Sequence, residues 1–152
     1  MNMIEFYMTQ ALKEARKAYD EDEVPVGAVI VHEGEVIGRA HNQIVMLKDP
    51  TAHAEMIAIT QAAAHLGNER LNGCDLYVTI EPCSMCVGAA MLARLRRIVY
   101  GACEAKTGAC GSALNLLEKG LYNHKIEVES GVLEAECRTI MQDFFLDKRH
   151  RA

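Results

Sequence analysis

Hydrophobic residues near the two ends of the chain recur with a helical period. The spacing i, i+4, i+7, i+8 places such residues on one face of a helix, which is typical of a helix that packs on a core by that face. Near the start this pattern is formed by Ile4, Met8, Ala11, Leu12, Ala15 and Ala18. Near the end a second helix is predicted from Leu133, Cys137, Ile140, Met141, Phe144 and Phe145.

Shorter apolar runs between these helices predict strands. Residues 24–31 form a β-branched run, and a turn that contains Gly34 leads into residues 35–42, so we expect a β-hairpin. Three more strands are predicted at residues 74–80, 96–102 and 125–131.

Two internal helices complete the pattern. The first is expected to begin with Asp49 or Thr51 as its N-cap and Pro50 near its first turn, and to stop near Gly67. The second is expected to begin around Pro82 and to cover residues 84–95. Strands that alternate with helices predict an α/β domain with helices packed on a central sheet, and the hairpin makes that sheet mixed.

Composition and charge narrow the class of protein to which this sequence can belong. The 152 residues are 50% hydrophobic, which fits a single domain over residues 1–152 with its own core. No run approaches the roughly 18 apolar residues of a membrane span and no signal-peptide pattern is present, so we expect a cytoplasmic protein whose six cysteines are reduced. The net charge of -5 argues mildly against a nucleic-acid partner, while basic clusters at 94–97 and 148–151 are either solvated faces or phosphate-binding patches.

A pair of cysteines at a predicted helix start points to a metal. Cys83 and Cys86 lie three positions apart on one helix face, where the helix dipole favours thiolate, and they can form half of a tetrahedral zinc site. By itself the pair could also be redox-active, structural or coincidental. His53, about thirty residues earlier, can supply a third ligand, although alone it would be read as a core histidine. The fourth position is left to water, as in a catalytic site, or to another cysteine.

Glu55 stands two positions after His53, a spacing that does not bring side chains to one helix face. Beside a zinc ion with two thiolates, a carboxylate is better suited to moving protons for zinc-activated water than to ligation. We therefore predict that Glu55 lies across the helix start from His53, within reach of the open coordination position. The alternative is an ordinary surface residue of the helix.

Two short segments match a known signature. His53-Ala54-Glu55 and Pro82-Cys83-Ser84-Met85-Cys86 match the H-x-E…P-C-x-x-C signature of the zinc-dependent cytidine and adenosine deaminases. Longer stretches, among them EVPVGAVIV, DPTAHAE, LYVTIEPCSMC, YGACEAKTGACGS and DFFLDKR, resemble the tRNA-specific adenosine deaminases of bacteria over nearly the whole chain.

The resemblance implies a three-layer α/β/α cytidine-deaminase-like fold with a mixed five-stranded central sheet, usually as a homodimer. It implies hydrolytic deamination of adenosine to inosine at the wobble position of a tRNA anticodon stem-loop. One Zn²⁺ per chain would be held by His53, Cys83 and Cys86, and Glu55 would be the catalytic proton shuttle.

The resemblance also implies substrate contacts. The residues at the matching positions are Asn42, Ala54, Glu104 and Lys106. Asn42 follows a strand, where an asparagine is otherwise a turn residue. Glu104 stands where family members often have a shorter residue such as aspartate.

Two other functions remain open. A zinc-dependent deaminase of a free base, nucleoside or nucleotide, of the guanine or cytidine type, fits the acidic net charge because a small substrate needs no basic surface. A non-catalytic, zinc-stabilised binding module would use the same ligands but would not need Glu55.

Overall fold

The computed structural model describes residues 1–118 and 123–151. The elements follow in the order α1 (Met3–Asp20), β1 (Gly27–His32), β2 (Glu35–His41), α2 (Ile44–Leu47), α3 (Ala54–Leu66), β3 (Cys74–Ile80), α4 (Ser84–Ala93), β4 (Arg97–Ala102), β5 (Glu127–Glu129) and α5 (Glu134–Arg151). The predicted α/β order is confirmed. The short helix α2 was not predicted, since four residues are too few to show a helical period.

The strands form one sheet in the order β2-β1-β3-β4-β5. Strand β1 is antiparallel to β2 and to β3, whereas β3 with β4 and β4 with β5 are parallel. The predicted hairpin and mixed five-stranded sheet are therefore confirmed. All of β3 except Ile80 is buried, because helices cover both faces of this central strand.

Helices pack on both faces of the sheet, which confirms the three-layer α/β/α architecture. Side chains alternate along the strands. One set packs with α1 and includes Val29, Tyr77 and Val99. The other packs with α3 and α4 and includes Ile30, Leu76, Val78 and Ile98. No helix within the described ranges is long and apolar enough to cross a membrane.

Helix α3 approaches the sheet closely. A Cβ at Gly38 of β2 would lie only 2.6 Å from the carbonyl oxygen of Ala58, so only glycine allows this distance. The buried face of α3 is correspondingly small and includes Ala54, Ala58 and Ala62. This packing holds the start of α3 against the sheet edge where β2 ends.

Two predicted element starts were wrong. Strand β1 begins at Gly27 and not at Val24, because Pro25 has no amide hydrogen to donate and the amide of Val26 donates to the carbonyl of Val24 in a turn. Helix α3 begins at Ala54 with His53 as its N-cap. Asp49 and Thr51 instead form a local turn, in which Asp49 Oδ1 accepts from the amide and the hydroxyl of Thr51 at 2.8 and 2.7 Å.

Other predicted boundaries were too long. Helix α4 has Cys83 as its N-cap and ends at Ala93, because Arg94 adopts a left-handed conformation with φ 58°. Strand β4 begins at Arg97, one residue later than predicted, and β5 covers only Glu127–Glu129. Helix α3 ends before Gly67, as predicted.

Candidate active site

The starts of α3 and α4 lie side by side where β2 and β3 end. His53 is the N-cap of α3 and Cys83 is the N-cap of α4, yet neither side chain makes the usual capping hydrogen bond to its own helix. Both side chains turn instead toward each other and toward Cys86, which is fully buried in the first turn of α4.

The three side chains are spaced as zinc ligands are. His53 Nδ1 lies 3.6 Å from Cys83 Sγ and 3.6 Å from Cys86 Sγ. Zinc bonds of about 2.3 Å to sulfur and about 2.0 Å to nitrogen, in tetrahedral geometry, place a nitrogen and a sulfur roughly 3.6 Å apart. The donor set and its spacing therefore fit zinc.

Within residues 1–118 and 123–151, no other group of three His, Cys, Asp or Glu ligand atoms is close enough to hold a metal. All six cysteines are free, and Cys74, Cys103, Cys110 and Cys137 lie outside the cluster. A third cysteine therefore does not supply the fourth ligand. The arrangement is that of a three-ligand site with one position open.

The hydrogen bond between the two cysteines favours one ionised and one protonated sulfur. A hydrogen bond from Cys86, opposed by burial and assisted by His53, lowers the pKa of Cys83 to about 3. The same hydrogen bond, together with burial, raises the pKa of Cys86. The hydrogen bond with Cys83 raises the pKa of His53. One thiol of the pair thus ionises easily, and a cation between the ligands is what would let the second ionise as well.

Glu55 is buried beside this cluster without belonging to it. Its side chain is 3% exposed and its Oε1 has no hydrogen-bond partner within the described residues. Burial raises the pKa of Glu55, with a smaller opposing effect of His53. A buried carboxyl oxygen without a partner is costly for folding, so its presence indicates a chemical use. The role of proton shuttle stays a prediction.

Asn42 supports the start of α3 from the end of β2. Its side chain is 5% exposed, and its Oδ1 accepts a hydrogen bond of 2.8 Å from the amide of Ala54. The Asn42 Nδ2 group donates to none of the described residues. Asn42 is therefore more than a turn residue. Because the Ala54 amide is already engaged, a substrate contact by Ala54 would need its other atoms.

The other two predicted contacts lie on the loop after β4. Glu104 is half-buried and accepts from the amide of Lys106 at 2.9 Å, while Lys106 is exposed. The amide of Ala109 in this loop donates to the carbonyl of Pro82 at 2.9 Å, so the loop lies against the residue that precedes Cys83. The loop is thus close to the cluster, and substrate contacts by Glu104 and Lys106 stay predictions.

Sequence reasoning did not identify Glu81, the residue before Pro82. It is 2% exposed and its carboxylate accepts four hydrogen bonds, from the amides of Glu104, Cys110 and Ser112 and from the Ser112 hydroxyl. Burial acts to raise the pKa of Glu81, but these donors outweigh it and hold the pKa below its usual value. The sequence feature that could have identified Glu81 is an acidic residue directly after a predicted apolar strand.

The predicted basic clusters are mostly paired with acids. Arg96 and Arg97 both donate to Asp75 at the start of β3, far along the strand from the metal ligands. Lys148 and Arg151 both donate to Asp22. These four residues fit the interpretation as solvated faces better than that of phosphate-binding patches.

A His-Cys-Cys cluster with an adjacent buried glutamate, set on a mixed sheet between helix layers, is the arrangement of a hydrolytic deaminase. Residues 2–149 match the model of the MafB19-like deaminase family. The chain belongs to this family.

Named relatives and solved structures show which deaminases this chain is similar to. The tRNA-specific adenosine deaminase of Bacillus subtilis (strain 168) is 48% identical over 151 residues, which cover 99% of this chain and 94% of the relative. A solved structure from work on A-to-I editing by tRNA:A34 deaminases at the wobble position of transfer RNA has a TM-score of 0.86 at 47% identity, covering 89% of this chain and 98% of that chain. A guanine deaminase from Nitrosomonas europaea has a TM-score of 0.80 at 25% identity, covering 92% and 83%.

Proposed function

We propose that this single-domain protein converts adenosine to inosine at the wobble position of a tRNA anticodon. The observation that carries the proposal is the buried Glu55 carboxyl, whose Oε1 has no hydrogen-bond partner among the described residues, beside three ligand atoms with zinc-like spacing. The substrate follows from the near full-length similarity to proteins named tRNA-specific adenosine deaminase. Free cysteines and a tRNA substrate both favour the cytoplasm as the place of the reaction.

One Zn²⁺ per chain would be held by His53 Nδ1 and the sulfurs of Cys83 and Cys86. When bound, zinc supplies the Lewis acidity that gives water a nucleophilic form near neutral pH. The overall reaction consumes one water and releases one ammonia.

Glu55 moves the protons. It accepts one proton from the attacking water and passes it to ring nitrogen N1 of adenine. It then takes the second proton of that water from the new hydroxyl group at C6 and gives it to the amino group, which leaves as ammonia while the C6 carbonyl forms. A carboxyl whose pKa is raised by burial holds a proton between such transfers better than an exposed one does. Because no residue in 1–118 or 123–151 makes a hydrogen bond to Oε1, this oxygen is available for the substrate.

Substrate positioning falls to residues around this carboxyl. The Asn42 Nδ2 group donates to no residue that the structure describes, and Asn42 lies next to the start of α3, where it can contact the sugar or base of an extruded nucleotide. Ala54 provides an apolar wall, since it is fully buried at the same helix start. Glu104 and Lys106 contact the flanking nucleotides from the loop after β4.

We propose a homodimer because α4 lacks a polar face. Its sequence, SMCVGAAMLA, is apolar around nearly its whole circumference, a pattern of a helix covered on all sides, yet Leu92 is 81% exposed. Sedimentation should report a dimer, which Leu92→Glu would dissociate. The control Leu114→Glu, at an apolar residue that is 48% exposed in a loop, should leave the mass unchanged.

Deamination of a free base is the second candidate. It is favoured by the similarity to a guanine deaminase and by the net charge of -5. The deciding assay compares an anticodon stem-loop whose anticodon begins with adenosine against free guanine, cytidine and adenosine. Inosine formation in the stem-loop, weakening as salt rises, supports the tRNA assignment. Turnover of a free base with none of the stem-loop would contradict it.

A further inference from the structure

The loop at residues 104–112 is organised around the single carboxylate of Glu81. Both oxygens are used: Oε1 accepts from the Glu104 amide at 3.0 Å and from the Ser112 hydroxyl, and Oε2 accepts from the amides of Cys110 and Ser112 at 2.9 and 3.1 Å. Gly108 packs on the same group, since a Cβ there would lie 2.4 Å from Glu81 Cδ. We call residues 104–112 the anchored loop.

Glu81 is the main attachment of the anchored loop to the rest of the molecule. Within residues 1–118 and 123–151, no other side chain from outside the loop makes a hydrogen bond to it. The remaining link at the same place is the hydrogen bond from the Ala109 amide to the Pro82 carbonyl. Without the Glu81 carboxylate the loop would keep the backbone hydrogen bond to Pro82 and the backbone hydrogen bonds that it makes within itself and with residues 113–116.

The same short segment also holds a metal ligand. Glu81 and Pro82 directly precede Cys83, the N-cap of α4, so the anchored loop and the metal cluster share one rigid support. The carboxylate itself is not part of the cluster of ligand atoms. Glu81 therefore fixes the distance between the metal cluster and the loop that carries Glu104 and Lys106.

We propose that Glu81 is a positioning residue that holds the anchored loop as a preformed wall of the substrate site, and so sets the affinity for the nucleic-acid substrate. The inference rests on the proposed function. A preformed loop binds more tightly because its ordering cost is met on folding and not on binding. The groups that carry the chemistry are untouched, so a loosened loop raises KM and leaves kcat nearly unchanged.

The test is Glu81→Gln, which keeps the shape but replaces one acceptor oxygen by a donor group. Losing hydrogen bonds to a charged acceptor is expected to raise KM for the stem-loop at least about fivefold while kcat changes less than about twofold. Trypsin cleavage after the exposed Lys106 is expected to accelerate about tenfold, because loop opening becomes more populated. Zinc content per chain should stay at the wild-type value.

Asp75→Asn is the matched control. Asp75 is a buried carboxylate on the same strand, 4% exposed, but it faces Arg96 and Arg97 at the other end. This variant should lose stability without changing KM or the cleavage rate at Lys106. Equal effects of both variants would overturn the proposal, because general destabilisation would then explain them.

Three further outcomes would also contradict the proposal. If Glu81→Gln loses zinc, the residue supports Cys83 and not the loop, which contradicts the proposal. Faster cleavage without a change of KM would show a loop that does not serve the substrate, which also contradicts it. Should Glu81→Gln not fold, Ser112→Ala, which removes one of the four hydrogen bonds, should shift both readouts in the same direction by a smaller factor. No shift in Ser112→Ala would then overturn the proposal.

The cleavage readout needs no substrate. If the wild type does not act on the stem-loop, the proposed function fails, while accelerated cleavage in Glu81→Gln still reports whether the anchored loop depends on this carboxylate.

Discussion

The two ends of strand β3 both bury an acid, but they use it differently. At the start, Asp75 forms ion pairs with Arg96 and Arg97, and these two cations neutralise its negative charge. At the end, Glu81 accepts only from neutral amides and a hydroxyl. Glu55, close to that end, has an oxygen with no partner within the described residues. The partners of a buried acid, more than its burial, indicate its use.

The largest effect is expected at the metal ligands near the end of β3. Cys86→Ala removes one of three donors, so zinc content should fall far below one per chain and turnover should drop at least about 10³-fold. Metal analysis and inosine formation on the same sample measure this. Cys137→Ala is the matched control, because Cys137 is a buried free cysteine on the other face of the sheet, 1% exposed. If Cys86→Ala retained zinc and activity, the metal assignment would be wrong.

Two substitutions of Asn42, near the same end of β3, distinguish its structural role at the start of α3 from a contact with the substrate. Asn42→Ala leaves the buried Ala54 amide without an acceptor and should lower the free energy of unfolding by about 1–3 kcal/mol. Asn42→Asp keeps an acceptor oxygen for the Ala54 amide and replaces the Nδ2 donor by a second carboxylate oxygen. We expect kcat/KM of Asn42→Asp to fall roughly tenfold or more, as for loss of one hydrogen bond to substrate, with a smaller loss of stability than in Asn42→Ala. Wild-type kcat/KM in Asn42→Asp would leave Asn42 a purely structural role.

The metal site was the part of the molecule most open to prediction. His53, Glu55, Cys83 and Cys86 belong to two short motifs, and the ligand spacing within each helix start is a local property of the chain. The sheet was predicted for the same reason, since the continuous apolar run of Val29, Ile30 and Val31 indicates a strand that is buried on both faces.

Glu81 was missed because its partners carry no side-chain pattern. They are mostly backbone amides, 23 to 31 residues further along the chain, and any residue except proline supplies an amide. The wrong start of α3 has a similar cause: the turn at Asp49 and the support from Asn42 compete with local capping, and only the packed structure decides between them.

At the start of β3, substitution of Asp75 should change the stability of the protein and not its activity. Asp75→Asn leaves Arg96 and Arg97 without their shared carboxylate, and we expect the free energy of unfolding to fall by about 1–3 kcal/mol. The half-buried Arg97 should contribute more to this loss than Arg96, which is 60% exposed. Urea unfolding measures the loss. A change of kcat/KM beyond about twofold would contradict the separation of the two ends.

Asp22 is an exposed counterpart of Asp75, one carboxylate between Lys148 and Arg151. Hydrogen bonds from these two residues lower the pKa of Asp22, so its stabilisation is present above the usual carboxyl pKa and is lost as the pH falls through the lowered value. The difference in Tm between wild type and Asp22→Asn should be small at pH 7 and smaller still in high salt, and it should vanish in acid. A difference that persists in acid would show another role for Asp22.

The central claim is that Glu55 performs the proton transfers while His53, Cys83 and Cys86 hold the metal. The most direct measurement is single-turnover inosine formation on the stem-loop by Glu55→Gln, with zinc determined in the same sample. The account predicts one zinc per chain, a folded protein and a rate lower by about 10²–10⁴-fold. A zinc-loaded Glu55→Gln that forms inosine at the wild-type rate would contradict it.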